Sequence, residues 1–163
     1  MRRRLLHAAY WVAYRLLLAY WFVLRPRHPS AHVAVWVGEE LLVIETSYKP
    51  WVWVPGGGIG RGETPRDAAA RELGEEVGIQ VEAEELAEFG VVESHAEFKT
   101  DLAHFFELVR ETPPSVSIDE IEVVAARFVR PETIDGTLAA PVRAYLAARD
   151  ARNAPDKSAP GRA

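Results

Sequence analysis

The sequence predicts one α/β domain of the α+β kind, strands and helices around a single core, with an extra apolar helix in front of it. Three observations lead there. The chain has 163 residues, 48% apolar and 26% charged, which suits one soluble globular core. From Ala31 onward, short β-branched and aromatic runs alternate with two stretches of helical periodicity. Ahead of them, Leu5 to Leu24 is almost wholly apolar or aromatic and follows three arginines.

That first segment admits three readings. A signal peptide needs a small-residue cleavage site, and Val23-Leu24-Arg25-Pro26-Arg27 offers none, so the cytoplasm is the expected compartment. A membrane span has the right length, but Arg15 at its centre and His7 within it are costly in lipid. An amphipathic helix packed on the domain is favoured. Peripheral membrane contact, or self-association of residues 1–25 as in a homodimer, are its alternatives. Pro26 and Pro29 stop the helix and form a linker, which puts residues 1–28 outside the domain, 29–149 within it, and 150–163 in a polar tail expected to be disordered.

Within the domain, Ala31–Val37 and Leu41–Thr46 read as a hairpin about Gly38-Glu39-Glu40, and Trp51–Val54 as a short strand running into an irregular loop at Pro55-Gly56-Gly57-Gly58. Thr64, Pro65 and Asp67 form a helix start with an N-cap, a first-position proline and a capping acid. The helix should run from Pro65 to Val77 and end on Gly78 in the left-handed conformation. Gln80–Ala83, Ala87–Ser94, Leu102–Val109 and Ile121–Val129 read as strands. Pro131–Ala148 should contain a helix built on Leu138, Val142, Tyr145 and Leu146.

Charge narrows the chemistry. The net charge of −5 argues against a general nucleic-acid surface, which needs a basic face, yet it leaves room for a small phosphorylated ligand. Without cysteine there is no thiolate metal site and no cysteine nucleophile, so a bound metal would take oxygen or imidazole ligands.

The stretch GGIGRGETPRDAAARELGEEVGI, residues 57–79, carries the chemistry. Glu72, Glu75 and Glu76 stand at i, i+3 and i+4 and share one helical face, while Ala69, Ala70, Leu73 and Val77 form an apolar face opposite. Like charges four residues apart destabilise a helix, so the cluster needs a cation, and an all-oxygen site suits magnesium, with manganese as a substitute. Arg71 can steady the carboxylates. Glycines at 56, 57, 58, 60 and 62 let backbone approach a phosphate or offer a carbonyl to a metal. Three glutamates alone would be an ordinary solvated face; the loop and the spacing make the difference.

This segment resembles the Nudix box, G-x5-E-x7-R-E-U-x-E-E-x-G-U, at every specified position: Gly57, Glu63, Arg71, Glu72, Leu73, Glu75, Glu76, Gly78 and Ile79. Seven fixed identities at background frequencies of about 7% coincide by chance on the order of once in 10⁸ placements. The resemblance implies a mixed β-sheet sandwiched between helices and a hydrolase that cuts a phosphoanhydride in a nucleoside diphosphate linked to another group. The competing reading is a non-catalytic module that binds such a nucleotide.

The resemblance also implies roles. Glu72, Glu75 and Glu76 would be metal ligands, with the Gly56 carbonyl beside them and Glu120 as a further acid ahead of a strand. Glu72, Arg71 and Glu75 are the candidate catalytic residues; Glu72 is the first choice of general base, a role family members also place on later loops. Gly57, Gly58, Glu63, Tyr48 and Trp51 are the candidates to meet substrate, Glu63 lying outside the direct ligands. One of Trp51 and Trp53 is expected to be core. His95 and His104, lone histidines on strands, are left out of the catalytic set.

Overall fold

The computed structural model describes residues 2–95, 97–134 and 136–154. Helix α1 (Arg2–Leu24) leads, through Arg25 and Pro26 alone, into strand β1 (Arg27–Val37). Pro29, expected in a linker, instead lies within β1 opposite Leu102. Then follow β2 (Glu40–Thr46), β3 (Val52–Trp53), β4 (Gly56–Gly58), α2 (Pro65–Val77), β5 (Ala87–Ser94), β6 (Thr100–Arg110), β7 (Val123–Val129) and α3 (Ala140–Asn153).

These strands make one seven-stranded mixed sheet in the order β3-β2-β1-β6-β5, with β4 on β1 and β7 on β2. The single long parallel pairing is β1 with β6, from Arg27 opposite Thr100 to Val37 opposite Arg110. β1 and β2 touch only at their hairpin, Trp36–Leu41 and Val37–Glu40. Beyond it they diverge, β1 taking β4 as neighbour and β2 taking β7 and β3. The gap between them is where the site opens.

Alternation alone would bury one face of β1 and β2, but Ala31 to Trp36 and Leu41 to Ile44 are buried without interruption, the signature of strands covered on both faces. α2 covers one face through Ala68, Ala69, Leu73 and Val77; Ala68 is buried and Ala70 only partly, a one-residue rotation from the expected apolar face. α3 covers another part. Tyr145 stacks on Phe105 at 4.6 Å between centroids, and its hydroxyl accepts a 2.9 Å bond from Trp36 Nε1.

Three sequence expectations are corrected. Gln80–Ala83 is not a strand; a 3₁₀ turn, Ala83–Glu85, closes there because Glu82 and Glu85 cap each other's backbone. The glycine run is not irregular: Gly56–Gly58 lies flat as an antiparallel strand against Ser30–His32. A Cβ on Gly56 would stand 2.3 Å from the Ala31 carbonyl oxygen, so only glycine permits that approach. Finally, α3 continues to Asn153, with Arg149 over the Trp36 ring and Arg152 over Phe89, so the tail is helical past Asp150. Residues 155–163 of the expected disordered tail lie outside the described residues.

Candidate active site

A cavity of about 420 Å³ lies in the gap between β1 and β2, within the size range of small-molecule sites. Its walls differ sharply in chemistry. One is acidic and comes from α2, β4 and the approach to β7; the other is basic and aromatic and comes from β1, β2, β3, β6 and α1.

The acidic wall follows from local capping. Thr64 accepts a bond from Asp67 N–H and Gly78 takes φ 71°, so α2 begins and ends where its sequence predicts. With Leu73 and Val77 fully buried, Glu72, Glu75 and Glu76 are turned to the cavity. Arg71 gathers the neighbouring acids. Its Nε and Nη2 donate to Glu63 at 2.9 and 3.1 Å, Nη1 donates to Glu72 at 2.8 Å and Glu75 at 3.0 Å, and Nη2 also reaches the Gly58 carbonyl at 3.1 Å. Those bonds, with one from Gly60 N–H, hold Glu63 below the usual carboxylate pKa. A Cβ on Gly57 would stand 2.6 Å from Glu72 Oε1, so the absent side chain is what seats that carboxylate against β4.

Glu76 is the most perturbed acid. Burial pushes its pKa up to about 8, against the pull of a 2.8 Å bond from Gly56 N–H, and the negative fields of Glu72 and Glu122 push the same way. Glu72 is raised too, by burial first, with Arg71 opposing. The donor set is carboxylate and backbone oxygen only, the chemistry of a hard divalent cation. Among the described residues, no three acid or histidine side chains form a ready-made ion cage, and Arg71 engages Glu72 and Glu75.

The expected residues are not all brought together. Glu72, Glu75, Glu76, Gly56, Gly57, Gly58 and Tyr48 line the cavity. Gly56 meets Glu76 through its N–H, whereas its carbonyl was the expected contact. Glu63 reaches the site only through Arg71. Glu120 stands apart: it has φ 57°, pairs with Arg3 of α1, and its carbonyl faces His7 Nε2 at 3.1 Å. Glu122 lines the cavity instead, and Asp119 joins Glu72, Glu75, Glu76 and Glu122 around a smaller recess next to it. The two-residue error arises because β7 begins at Val123 where Ile121 was expected. Trp51 lies outside the cavity and Trp53 lines it, buried and stacked on His32 at 5.4 Å. Neither His95 nor His104 lines it.

Sequence reasoning missed most of the second wall. His28, Ser30 and His32 come from β1, Thr46 from the end of β2, Lys49 from the turn after it, Lys99 from the residue just before β6, Asp101 from its start, and Leu17 and Trp21 from α1. The usable signal was the alternation of His28, Ser30 and His32, polar residues on one face of an otherwise apolar strand.

Helix α1 is seated by this wall. Tyr14 donates a 2.5 Å bond to Glu97, Tyr10 stacks on Tyr48 at 5.8 Å, and the Lys99 ammonium sits 4.3 Å from the Trp21 ring centroid. Among the described residues no helix is long and apolar enough to cross a membrane.

The NUDIX domain family model matches residues 26–149. An RNA pyrophosphohydrolase of Rhizobium meliloti (strain 1021) is 49% identical over 49 residues, 28% of this chain and 29% of that protein. The chain thus aligns with less than a third of that curated relative. In structure, a MutT NUDIX hydrolase from Burkholderia pseudomallei superposes with TM-score 0.66 and 19% identity over 74% of this chain and 96% of its own. A MutT protein from Methanosarcina mazei Go1 gives TM-score 0.67 and 23% identity over 80% and 97%. These likenesses are of fold.

Proposed function

Because the chain belongs to the NUDIX domain family, we propose that it is a magnesium-dependent hydrolase cleaving a phosphoanhydride bond in a nucleoside diphosphate linked to a further group. The observation that carries this reading is Glu76: a buried carboxylate beside two others, raised to about 8, facing a cavity of substrate size. An arrangement so unfavourable without a cation is what a metal-dependent site requires. All box carboxylates are present, which speaks against a module that only binds.

A divalent ion bound here would neutralise phosphate charge and make a water molecule a better nucleophile. Glu72, Glu75 and Glu76 would hold it, with Glu122 in the role first expected of Glu120. Arg71 orients Glu72 and Glu75 and, by ion-pairing Glu63, ties the loop to the helix. Glu72, half-buried and raised, is the first choice to take the proton from the attacking water. The bare edge of Gly58, next to the Gly57 backbone on which Glu72 is seated, lets a diphosphate lie close to the strand, and Tyr48, its hydroxyl donating to Glu122 at 2.8 Å, flanks it.

The test is phosphate or pyrophosphate release from nucleoside triphosphates, nucleotide sugars and dinucleotides with magnesium, comparing the unaltered chain with Glu76→Gln. Turnover of one class, reduced at least about a hundredfold in the variant, is expected, that being the upper end of what losing even an outer-shell partner costs at a metal site. Absence of turnover for every compound would leave a nucleotide-binding module.

The outer face of α1 supports a second reading, peripheral contact with an anionic membrane surface. Leu5, Leu16 and Val23 are 66%, 68% and 75% exposed and, with Val12, form one apolar stripe without a charged residue in it. Arginines 2, 3, 4, 15, 25 and 27 lie on or beside this helix, and the first acidic residue of the chain is Glu39. Basic residues beside an interfacial apolar face match anionic lipid. Sedimentation with phosphatidylglycerol vesicles, lost for Leu16→Glu, is the expected outcome; a dimer in solution broken by the same change would assign the stripe to self-association.

A further inference from the structure

One acid of the acidic wall is not held by α2. Glu122 ends the connection between β6 and β7, residues 111–122, which contains neither helix nor strand. It nevertheless lines both the cavity and the recess that Glu72, Glu75 and Glu76 share. Its charge is unwelcome there, since its negative field helps to raise the pKa of Glu72 and of Glu76. A carboxylate on a long connection would swing from such neighbours into water unless something held it. Among the described residues its side chain makes one bond, accepted from the Tyr48 hydroxyl at 2.8 Å.

Tyr48 is in turn held by α1. The Tyr10 ring stacks on it at 5.8 Å and 19°, and the Tyr14 ring, tilted by 55°, lies 5.4 Å away. Tyr14 is itself buried and bonded to Glu97. The field of Glu122, ahead of burial and of Asp119, lifts the Tyr10 phenol above its usual range, so Tyr10 also stands close to the loop. A second contact meets that loop directly. Glu120 has φ 57°, which a residue with a side chain keeps only where its surroundings impose it. Asp119 Oδ1 accepts the N–H groups of Ile121 and Glu122 at 2.9 and 3.1 Å, and the Glu120 carbonyl faces His7 Nε2 at 3.1 Å. A carbonyl only accepts, so His7 Nε2 carries the proton. His7, Tyr10 and Tyr14 follow at i, i+3 and i+7 and share one face of α1.

Resting on the hydrolase reading above, we propose that Tyr10 and His7 are positioning residues of the metal site, holding Tyr48 and the Glu120 carbonyl so that Glu122 stays among the carboxylates of α2. Neither lines the cavity, so both act through what they touch. Helix α1, residues 2–24, lies ahead of the matched family span, which begins at residue 26, so this support reaches the site from outside that span.

The experiment is calorimetric binding of manganese ion to the full chain. Tyr10→Ala and His7→Ala should each weaken it about threefold or more, with circular dichroism unchanged. Tyr10→Phe, which keeps the ring, and His7→Gln, which keeps a donor, should restore it. In a chain already carrying Glu122→Gln, neither alanine change should weaken binding further, whereas a merely structural role would lower it again. If Tyr10→Ala does not fold, the two His7 variants carry the test. Unchanged affinity in the alanine variants, the same loss in the Glu122→Gln chain, or no binding of manganese by the unaltered chain would each overturn the proposal. Turnover with ion binding indifferent to Tyr10 and His7 would remove this assignment and leave the hydrolase. Ion binding that follows the expected pattern without turnover of any compound would do the reverse.

Discussion

The two walls of the cavity face each other and were built in opposite ways. The acidic wall comes largely from one contiguous stretch of 23 residues, positioned by one helix whose caps and apolar face are local features. The basic, aromatic wall is gathered from Leu17 to Asp101, from four strands, a turn and α1. The difference shows how one side of a cavity can be carried by spacing along a chain, whereas the opposite side is assembled from places that meet only on folding.

The sharpest way to break that comparison is at Glu72. Its replacement by Gln should lower turnover by about a hundredfold or more, followed as phosphate or pyrophosphate release with magnesium, and unaltered turnover would take Glu72 out of the chemistry. Leu73→Ala probes the support of the acidic wall. Leu73 is fully buried, so the change should cost about 2–5 kcal/mol in urea unfolding, whereas Leu16→Ala, on the exposed face of α1, should cost less than about 0.5 kcal/mol.

Glu76 links the acidic wall to pH. Its pKa is raised in the folded chain, to about 8, above the ordinary value of 4.5, so between these values the folded state binds more protons than the unfolded one. Metal-free stability should therefore fall by a few kcal/mol as pH rises from about 5 to 8. Magnesium should offset that loss, and Glu76→Gln should flatten it, in thermal unfolding followed across pH. An unchanged slope in the variant would assign the dependence to another group.

The smallest effects should separate Glu120 from Glu122. Glu120→Ala breaks only an exposed pair with Arg3, and both stability and turnover should move by less than about 1 kcal/mol. Glu122→Gln, at the cavity and bonded to Tyr48, should cost turnover roughly tenfold. Equal effects would mean that the acid before β7 serves the site through its loop and not through its carboxylate.

Much of the architecture was legible. The hairpin, the limits of α2, its Thr64 and Gly78 caps and the tracts of β5 and β6 follow from local propensities, and the Pro65–Val77 helix agrees to the residue. The strand at Gly56–Gly58 was not legible, because glycine reads as a breaker unless a neighbouring strand lies close enough to need its bare backbone. Glu120 was the acid chosen because the strand was expected to begin at Ile121, whereas β7 begins at Val123, and the acid beside the cavity moves two residues with it to Glu122. Trp51 and Trp53, alternate residues of one short segment, could not be told apart until β3 paired with β2.

By itself the sequence determined the acidic helix with its caps and apolar face, which lie in spacing within one element, and through the resemblance of residues 57–79 to the Nudix box it pointed to the family and the fold class. Only the tertiary structure decided that β1 and β2 part to open a cavity, that Glu122 and Trp53 line it, and that α1 walls it. Those outcomes depend on contacts between residues far apart in sequence, such as Tyr14 with Glu97 and Trp21 with Lys99, whose energies exist only once the chain has closed upon itself.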